Sequence, residues 1–349
     1  MVVSDTLKAK FIKYLGMEIE LQKLHNYDFD TIYIGGGTPS CLPLSLLAKL
    51  LQMLSENINL AKLKEFTMEV NPEDITEELV KLISRYHVSR ISIGVQTFQP
   101  RLLKTIGRHT EFEDIKTKIT LLRSFNINNI NLDLIYALPG ETIDDVETDL
   151  EKFISLKPEH LSTYSLILED HTILKHQYDL NKINLVSEES DRLMYDLIKQ
   201  RLKDAGYFHY ETSNFALSGH ESVHNLIYWK CNEYLAIGPA SSSYYHQYRK
   251  TATQHLDAYF DGLDNLQLAY QECEYIDTEM AMKEELMLGL RLTEGVSRDE
   301  FLRKFGTALE EHFSIAPLIK EGLLEIKHGN LRIPDEYQYI ANYIIVKLI

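Results

Sequence analysis

The sequence predicts an α/β fold, in which a partial barrel of parallel strands alternating with helices precedes a smaller α+β domain of winged-helix type. Two observations support this prediction. Five short apolar segments alternate with five helical segments between residues 4 and 168, which is the pattern of right-handed βαβ units. The pattern changes after residue 278 into short helices and two brief strands. A complete eight-fold barrel needs roughly 250 residues of alternation, so a partial barrel is the better interpretation.

The first half of the chain alternates helix and strand. Leu7, Phe11, Leu15 and Ile19 recur at helical spacing and predict a helix that feeds the first strand. The strands are expected at 31–35, 66–70, 90–96, 130–136 and 160–168, and the helices at 4–24, 43–54, 76–86, 110–125 and 142–156. Residues 110–113 have the spacing of a capping box at Thr110.

The second half of the chain is expected to be less regular. A long amphipathic helix at 187–205 precedes one more strand at 208–216, and residues 218–250 are predicted to be irregular. The C-terminal module is predicted to contain three helices and two short strands. The first helix spans 279–290, the second follows a capping box at 297–300, and the third spans 335–349; the strands lie near 323–326 and 331–333. We therefore predict three regions: a barrel at 1–215, a connecting region at 216–277 and a C-terminal domain at 278–349.

Composition limits the classes of function. The net charge of −16, from 52 acidic and 36 basic residues, disfavours binding to nucleic acid or anionic membranes. The sequence has neither an 18-residue apolar run nor the features of a signal peptide, so we expect a cytoplasmic protein. Cys41, Cys231 and Cys273 are far apart and form no C-x-x-C pair, which indicates reduced thiols rather than a disulfide or zinc site.

Polar groups follow the predicted strands where each strand ends. The first strand ends in the glycine turn 35–37 with Thr38, and later strands end at Glu69, Gln96 and Asp133, with Arg108 in the loop after the third. The carboxyl ends of parallel strands meet on one face, where ligands bind. A single polar strand end is readily explained as a helix cap. The series, together with three glycines, predicts a ligand site with donors and acceptors for a ribose, an amine and a carboxylate.

Eight motifs carry a resemblance that covers essentially the whole chain. They are YIGGGTPS (33–40), EVNPED (69–74), RISIGVQTF (90–98), GRHT (107–110), NLDLIYALPGET (131–142), YSLILED (164–170), YETSNFALSGHES (210–222) and HNLIYW (224–229). In this order the chain resembles the radical-SAM family of oxygen-independent coproporphyrinogen III oxidases and their heme-chaperone relatives. LGLRLTEGV (288–296) resembles the start of that family's C-terminal domain.

The resemblance implies a site for S-adenosylmethionine. By motif, Gly36, Gly37 and Thr38 would contact the methionyl amino group, and Glu69 would bind the ribose. Three further residues match those around the methionyl and ribosyl parts: Gln96, Arg108 and Asp133. The resemblance also implies strands two to six of a (β/α)6 partial barrel, without its first strand.

In that family the first strand leads into a C-x3-C-x2-C loop that binds a [4Fe–4S] cluster. The printed sequence has no such motif, and the spacing of its three cysteines does not replace it. Two explanations stay open, of which we favour the first because the other S-adenosylmethionine residues are intact. The sequence is either an N-terminally truncated form of an ordinary member or a natural derivative without a cluster. In both cases we expect no radical activity from the chain as printed.

The stretch HNLIYW contains the only tryptophan of the chain. A histidine beside large aromatic residues can ligate heme iron, although on composition alone a hydrogen-bonded histidine in an aromatic core is the more common case. The resemblance favours heme, because H-N-x-x-Y-W marks the heme-binding relatives, and it makes His224 the candidate ligand. His209, Tyr210 and His220 are further candidate contacts.

Three functions follow from these observations. The first is a heme chaperone that delivers heme or porphyrin to membrane respiratory proteins, with S-adenosylmethionine and a cluster in a regulatory role. The second is a coproporphyrinogen III oxidase that decarboxylates propionate side chains through a radical. The third is a noncatalytic derivative that binds S-adenosylmethionine or heme. No nucleic-acid partner is expected, and a homodimer is left open.

Overall fold

The computed structural model describes residues 4–170 and 172–349. Its helices are α1 (Asp5–Gln22), α2 (Leu44–Asn57), α3 (Glu77–Arg85), α4 (Pro100–Thr105), α5 (Phe112–Ser124), α6 (Ile143–Leu156), α7 (Ile173–Asp179), α8 (Glu188–Asp204), α9 (Val223–Trp229), α10 (Leu256–Asp264), α11 (Thr278–Gly289), α12 (Arg298–Phe305), α13 (Leu309–His312), α14 (Ile315–Lys320) and α15 (Ala341–Val346). The strands are β1 (Thr31–Ile34), β2 (Glu65–Val70), β3 (Arg90–Gln96), β4 (Asn129–Tyr136), β5 (His160–Ser165), β6 (Phe208–Glu211), β7 (Asn214–Ala216), β8 (Ser242–Tyr245), β9 (Tyr248–Ala252), β10 (Tyr270–Tyr275), β11 (Val296–Ser297), β12 (Glu325–Lys327) and β13 (Asn330–Arg332).

The main sheet has seven strands in the order β1-β2-β3-β4-β5-β7-β6. Neighbours from β2 to β5 pair in parallel, whereas β7 runs antiparallel to both β5 and β6. Strands β2 and β3 alternate polar and apolar residues and are largely buried along their length. Because successive parallel strands end on the same side, this topology brings the polar strand ends to one edge.

The chain divides into two compact units. One comprises Tyr33–Cys41 and Glu65–Glu221 and holds most of the main sheet. The other comprises the described residues up to Ile32, together with Leu42–Lys64 and Ser222–Ile349. The three regions predicted from the sequence, with boundaries after residues 215 and 277, stay a prediction.

Within the second unit, α1 packs against α2 and α10. The buried Glu18 carboxylate of α1 ties this layer together, because it accepts hydrogen bonds from the Tyr259 hydroxyl at 2.5 Å and the Gly238 amide at 2.9 Å. The C-terminal part has its own apolar core of residues between Met282 and Leu348. A three-stranded sheet in the order β11-β13-β12 covers part of that core.

Most predicted elements agree with the structure to within a few residues, but three predictions were wrong. Helix α5 begins after Glu111, and no side chain caps it, so the capping box at Thr110 does not form. The segment 208–216 is two antiparallel strands rather than one. The region 218–250 is irregular only in part: it contains α9 and the hairpin β8–β9, whose turn residues His246 and Gln247 both have positive φ.

These corrections have physical causes. A two-residue turn with both φ values positive is ordinarily marked by Asn-Gly or Asp-Gly, and His-Gln carries no such signal. Helix α9 has a proper N-cap, because the Ser222 hydroxyl accepts from the Asn225 amide, but its seven residues are too few for a periodic pattern. Among the described residues, no helix has the length and apolar character needed to cross a membrane.

Candidate functional site

The glycine turn after β1 lies against the end of β2. A Cβ built on Gly35 would stand 2.5 Å from the Tyr33 ring and 2.7 Å from the Glu69 carboxyl group, so only glycine fits there without displacing them. The next residue, Gly36, has a φ of +80°, and its amide donates to Glu69. A Cβ on Gly36 or Gly37 would meet none of the described atoms within 4 Å. The exposed turn therefore presents open backbone beside a carboxylate.

The carboxyl groups of Glu69 and Asp133 lie close enough to affect each other electrostatically. The Tyr33 hydroxyl donates to Glu69 Oε1 at 2.7 Å. Burial raises the pKa of Glu69, and the negative charge of Asp133 raises it further, whereas the hydrogen bonds from Tyr33 and Gly36 lower it. Burial likewise raises the pKa of Asp133, and bonds from Ser92 and Asn131 oppose the shift. A cationic ligand would relieve the cost of holding these charges together.

A buried polar network holds Asp133 in place. Asp133 accepts from the Ser92 hydroxyl at 2.9 Å and from the Asn131 amide at 2.7 Å. The Asn131 carbonyl oxygen lies 2.6 Å from His160 Nδ1, and His160 Nε2 lies 2.8 Å from the Tyr210 hydroxyl. Burial lowers the pKa of His160 well below its usual value, so the ring is neutral. This network fixes the carboxylate within β4, which continues to Tyr136, so the prediction that the strand ends at Asp133 was wrong.

Sequence reasoning did not select these supporting residues. Asn131 and Asp133 are two residues apart on β4, as are Ser92 and Gly94 on β3, and alternate residues of a strand point to the same face of the sheet. This spacing is the sequence signal that could have identified Asn131 and Ser92 as neighbours of Asp133. The register pairs Gly94 with Asp133 and places Ser92 beside Asn131.

Gln96 and Arg108 belong to the same unit as the glycine turn but have different neighbours. Gln96 ends β3 at a bulge with a φ of +71°, and its amide folds back to within 3.0 Å of where a Cβ on Gly94 would stand. Arg108 donates to the Asn71 side chain at 2.9 Å and pairs with Glu73 at 3.5 Å. It borders an open cleft of about 400 Å³ whose other lining residues are Pro72, Glu73, Gly107, His109, Thr110, Asp114 and Lys118.

Thr38 lies at the far side of the glycine turn. Its carbonyl oxygen accepts from the Cys41 amide at 3.1 Å. The neighbouring Ser40 hydroxyl donates to Asp74 at 2.6 Å and accepts from the Asn71 amide at 3.2 Å, which ties the turn to the loop after β2. The structure thus brings Gly36, Glu69 and Asp133 together at one strand edge. It links Arg108 and the glycine turn to that edge through Asn71 rather than by direct contact.

The His224 imidazole lies in the other unit, on α9, and both of its nitrogens are engaged. Nδ1 is 2.8 Å from the Thr31 hydroxyl, and Nε2 is 2.8 Å from the Tyr228 hydroxyl one helical turn away. Tyr228 packs edge-on against Tyr234, with ring centroids 4.7 Å apart. Burial raises the pKa of Tyr228 to about 12. The half-buried imidazole therefore stands at the border of an aromatic cluster rather than in a closed core.

The three further heme candidates differ from His224. His209 stacks on Phe215 with ring centroids 4.5 Å apart, and Tyr210 bonds His160 in the network beneath Asp133. These contacts give both residues a structural role in the first unit. The His220 amide closes a turn by donating to Leu217.

Comparison with known proteins identifies relatives along the whole chain. A family profile for the Radical SAM superfamily matches residues 12–153, and one for the HemN C-terminal domain matches residues 276–336. The heme chaperone HemW of Lactococcus lactis is 38% identical over 333 residues, covering 95% of this chain and 86% of the relative. HemW of Bacillus subtilis is 34% identical over 318 residues, covering 90% and 84%.

A solved structure shows the same fold. Coproporphyrinogen III oxidase (HemN) from Escherichia coli, a radical SAM enzyme, aligns with a TM-score of 0.86 at 19% identity, covering 99% of this chain and 84% of that one. The fold is therefore the α/β partial barrel of radical SAM proteins followed by a HemN-type C-terminal domain. The winged-helix likeness of that domain and the missing first strand stay predictions.

Proposed function

Because this chain belongs to the HemW family of heme chaperones in the radical SAM superfamily, we propose that it carries heme on His224 and binds S-adenosylmethionine at the strand ends of its sheet. The observation that supports heme carriage is the His224 imidazole itself. It is half-buried, held at Nδ1 by Thr31, and bordered by tyrosine rings that offer flat apolar faces. A metal-binding histidine ordinarily has its second nitrogen held in this way.

The strand-end site suits S-adenosylmethionine, which is a sulfonium cation with an amine, a carboxylate and a ribose. The open backbone at Gly36 and Gly37 leaves room for the amino group to approach. Glu69 would accept from the ribose, and the charges of Glu69 and Asp133 would attract the cation. The amide of Gln96 and the guanidinium of Arg108 would orient the remaining polar groups, with Thr38 at the methionyl end.

The described residues do not fit a [4Fe–4S] cluster. Cys41 and Cys273 are exposed and Cys231 is partly buried. In the part of the chain that the structure describes, no three His, Cys, Asp or Glu side chains gather in a group that could hold a metal ion. We therefore assign neither cluster chemistry nor a radical reaction to these residues.

Hemin titration tests heme carriage. The wild-type chain should produce a shifted Soret band, and His224→Ala should weaken the apparent Kd at least tenfold, since one metal–ligand bond is lost. His246→Ala is the matched control, because that imidazole is exposed and lies on the β8–β9 turn. Equal heme affinity in His224→Ala and wild type would refute His224 as the ligand.

Three further assays separate the alternatives. Release of carbon dioxide from coproporphyrinogen III under anaerobic conditions would favour the oxidase, whereas transfer of bound heme to apo-forms of membrane respiratory proteins would favour the chaperone. Retained S-adenosylmethionine binding without heme binding would favour the noncatalytic derivative. The recipient, the cytoplasmic location and a homodimeric state stay predictions.

A further inference from the structure

Two of the described residues hydrogen-bond the ring nitrogens of His224, and their hydroxyl groups differ in chemistry and in exposure. Thr31 is the first residue of β1, is 9% exposed, and meets Nδ1. Tyr228 is 37% exposed and meets Nε2 from one turn further along α9. One nitrogen of the ring is thus fixed by a buried strand residue, and the other is covered by a side chain that reaches solvent.

These partners favour one tautomer. A neutral imidazole has one N–H donor and one acceptor nitrogen, and the partner of each nitrogen decides which is which. A phenol hydroxyl is more acidic than an aliphatic hydroxyl, so Tyr228 is the better donor and Thr31 the better acceptor. His224 therefore donates from Nδ1 to Thr31 and accepts at Nε2 from Tyr228. The lone pair of Nε2, which iron would need, is covered by the Tyr228 hydroxyl.

We propose that Tyr228 is a gate on the heme ligand, and that Thr31 is the positioning residue that keeps Nε2 available for iron. This inference rests on the proposed heme function of His224 and adds to it. In the closed state the Tyr228 hydroxyl covers Nε2. In the open state the hydroxyl would turn away, and the lone pair of Nε2 would be able to hold heme iron.

The surroundings allow Tyr228 to move without unfolding the helix. None of the residues of α9, all of which the structure describes, is buried. The tyrosine leans on Tyr234, which is itself held by paired backbone hydrogen bonds of 2.8 and 2.9 Å with Tyr244. Rotation of the Tyr228 side chain therefore exchanges one hydrogen bond for water, gives up its edge-on ring contacts with His224 and Tyr234, and leaves Tyr234 in place. Because only the open fraction of the protein can bind heme, a gate of this kind lowers the apparent heme affinity in proportion to that open fraction.

Removal of the hydroxyl should open the gate. Tyr228→Phe keeps the ring but loses the donor, so heme should bind about fivefold more tightly and associate faster in stopped-flow mixing, as expected for one hydrogen bond. Tyr234→Phe is the matched control, because it removes a hydroxyl from the same cluster without touching His224, and it should leave both values unchanged.

Thr31 is tested separately. Thr31→Val keeps the side-chain volume but removes the acceptor for Nδ1, so heme affinity should fall about fivefold and the Soret band of the complex should shift. Thr31→Ser restores the hydroxyl and should restore both the affinity and the band position. Affinity and band position in Thr31→Val equal to wild type would refute the positioning role.

The outcomes separate the gate from the function on which it rests. If His224→Ala weakens heme binding and Tyr228→Phe strengthens it, both inferences stand. If His224→Ala weakens binding while Tyr228→Phe leaves it unchanged or weakens it, the gate is wrong and the heme ligand stands. Loss of a tyrosinate-to-iron absorption band in Tyr228→Phe would also refute the gate, because Tyr228 would then be a ligand. If His224→Ala binds heme normally, both are wrong.

Discussion

At the scale of single residues, the candidate site depends on groups that hold its carboxylates rather than on the carboxylates alone. Glu69 is oriented by a hydroxyl from β1 and an amide from the glycine turn, and Asp133 is oriented by side chains from β3 and β4. Glu69 and Gln96 could be selected from the sequence because each stands near the carboxyl end of a predicted strand, whereas Asp133, selected in the same way, lies within β4. Their supports could not, since a polar residue inside a strand has no marker for the partner that it will meet.

Gly35→Ala tests whether the glycine turn positions Glu69. The added methyl group overlaps the Tyr33 ring and the Glu69 carboxyl group, so those side chains must move. We expect S-adenosylmethionine affinity to fall about tenfold by equilibrium dialysis, with little loss of stability because the displaced atoms are side-chain ends. Gly35→Ala combined with Glu69→Ala should lose no more than Glu69→Ala alone, since both act through one carboxylate. Unchanged affinity in Gly35→Ala would contradict this role.

Glu141 makes stability depend on pH. It is 7% exposed, accepts from the Leu138 amide at 2.9 Å, and its burial raises the pKa to about 8. The unfolded chain ionises this group near 4.5, whereas the folded chain keeps the proton until about pH 8. Its contribution to stability is therefore fully present below pH 4.5 and is lost as the pH rises to 8.

Glu141→Gln should therefore unfold with a smaller pH dependence than wild type. Between pH 5 and pH 8, the free energy of unfolding measured in urea should fall more for wild type than for Glu141→Gln. The exposed Glu151→Gln on α6 is the control and should follow wild type. Parallel curves for Glu141→Gln and wild type would show that the carboxyl group is not linked to folding.

At the scale of elements, the parallel strands were predictable and the connecting region was not. Strands β2 to β4 alternate polar and apolar residues, and each is followed by a turn signal or a polar residue, which is local information. The hairpin β8–β9 lacks such a signal, because neither SSYY nor YRKTA alternates apolar with polar residues and its turn is His-Gln. The heme motif was recognised as a motif, but its placement on a helix came from the structure alone.

Two glycines of the C-terminal part differ only in the space around them. Gly295 and Gly306 have φ values of +75° and +73°. A Cβ on Gly295 would stand 2.2 Å from the Leu331 carbonyl oxygen, whereas one on Gly306 would meet no described atom within 4 Å. Gly306→Ala should cost about 1 kcal/mol from the positive φ. Gly295→Ala should cost at least about 3 kcal/mol, because backbone must move.

Thermal denaturation of both variants measures this difference. The apparent Tm of Gly295→Ala should fall well below that of Gly306→Ala, since strain adds to the shared conformational cost. Equal Tm values for the two variants would mean that the β11–β13 contact relaxes freely and that the close approach at Gly295 has no energetic weight.

At the scale of the whole molecule, the family relationship extends over nearly the entire chain, while the structure divides it into two compact units. The apolar core between Met282 and Leu348 is made only of residues from the C-terminal part. Its sixteen members are Met282, Leu286, Leu290, Val296, Phe301, Leu309, Phe313, Ile315, Leu318, Leu324, Leu331, Ile333, Ala341, Ile344, Ile345 and Leu348. A core drawn from one continuous segment is the mark of a region that can fold alone.

A fragment of residues 276–349 should therefore fold independently. We expect helical circular dichroism and dispersed amide resonances in solution, with cooperative thermal unfolding. Gly295→Ala within the fragment should abolish this transition, which provides an internal check that the native packing has formed. A fragment with the spectrum of an unfolded chain would show that the segment depends on the rest of its unit, and the predicted boundary at residue 278 would then be wrong.

The sequence by itself determined the α/β class, the alternation of strands and helices, the relationship to heme chaperones and the list of candidate site residues. The class and the alternation follow from periodicity and turn chemistry, which are local properties of the chain, and the relationship follows from the resemblance carried by its motifs. Only the tertiary structure decided that Thr31 meets His224 across 193 residues and that Tyr228 covers its second nitrogen. Hydrogen bonds between distant residues depend on how elements pack, and packing is set by the buried surfaces of the whole unit rather than by any single stretch.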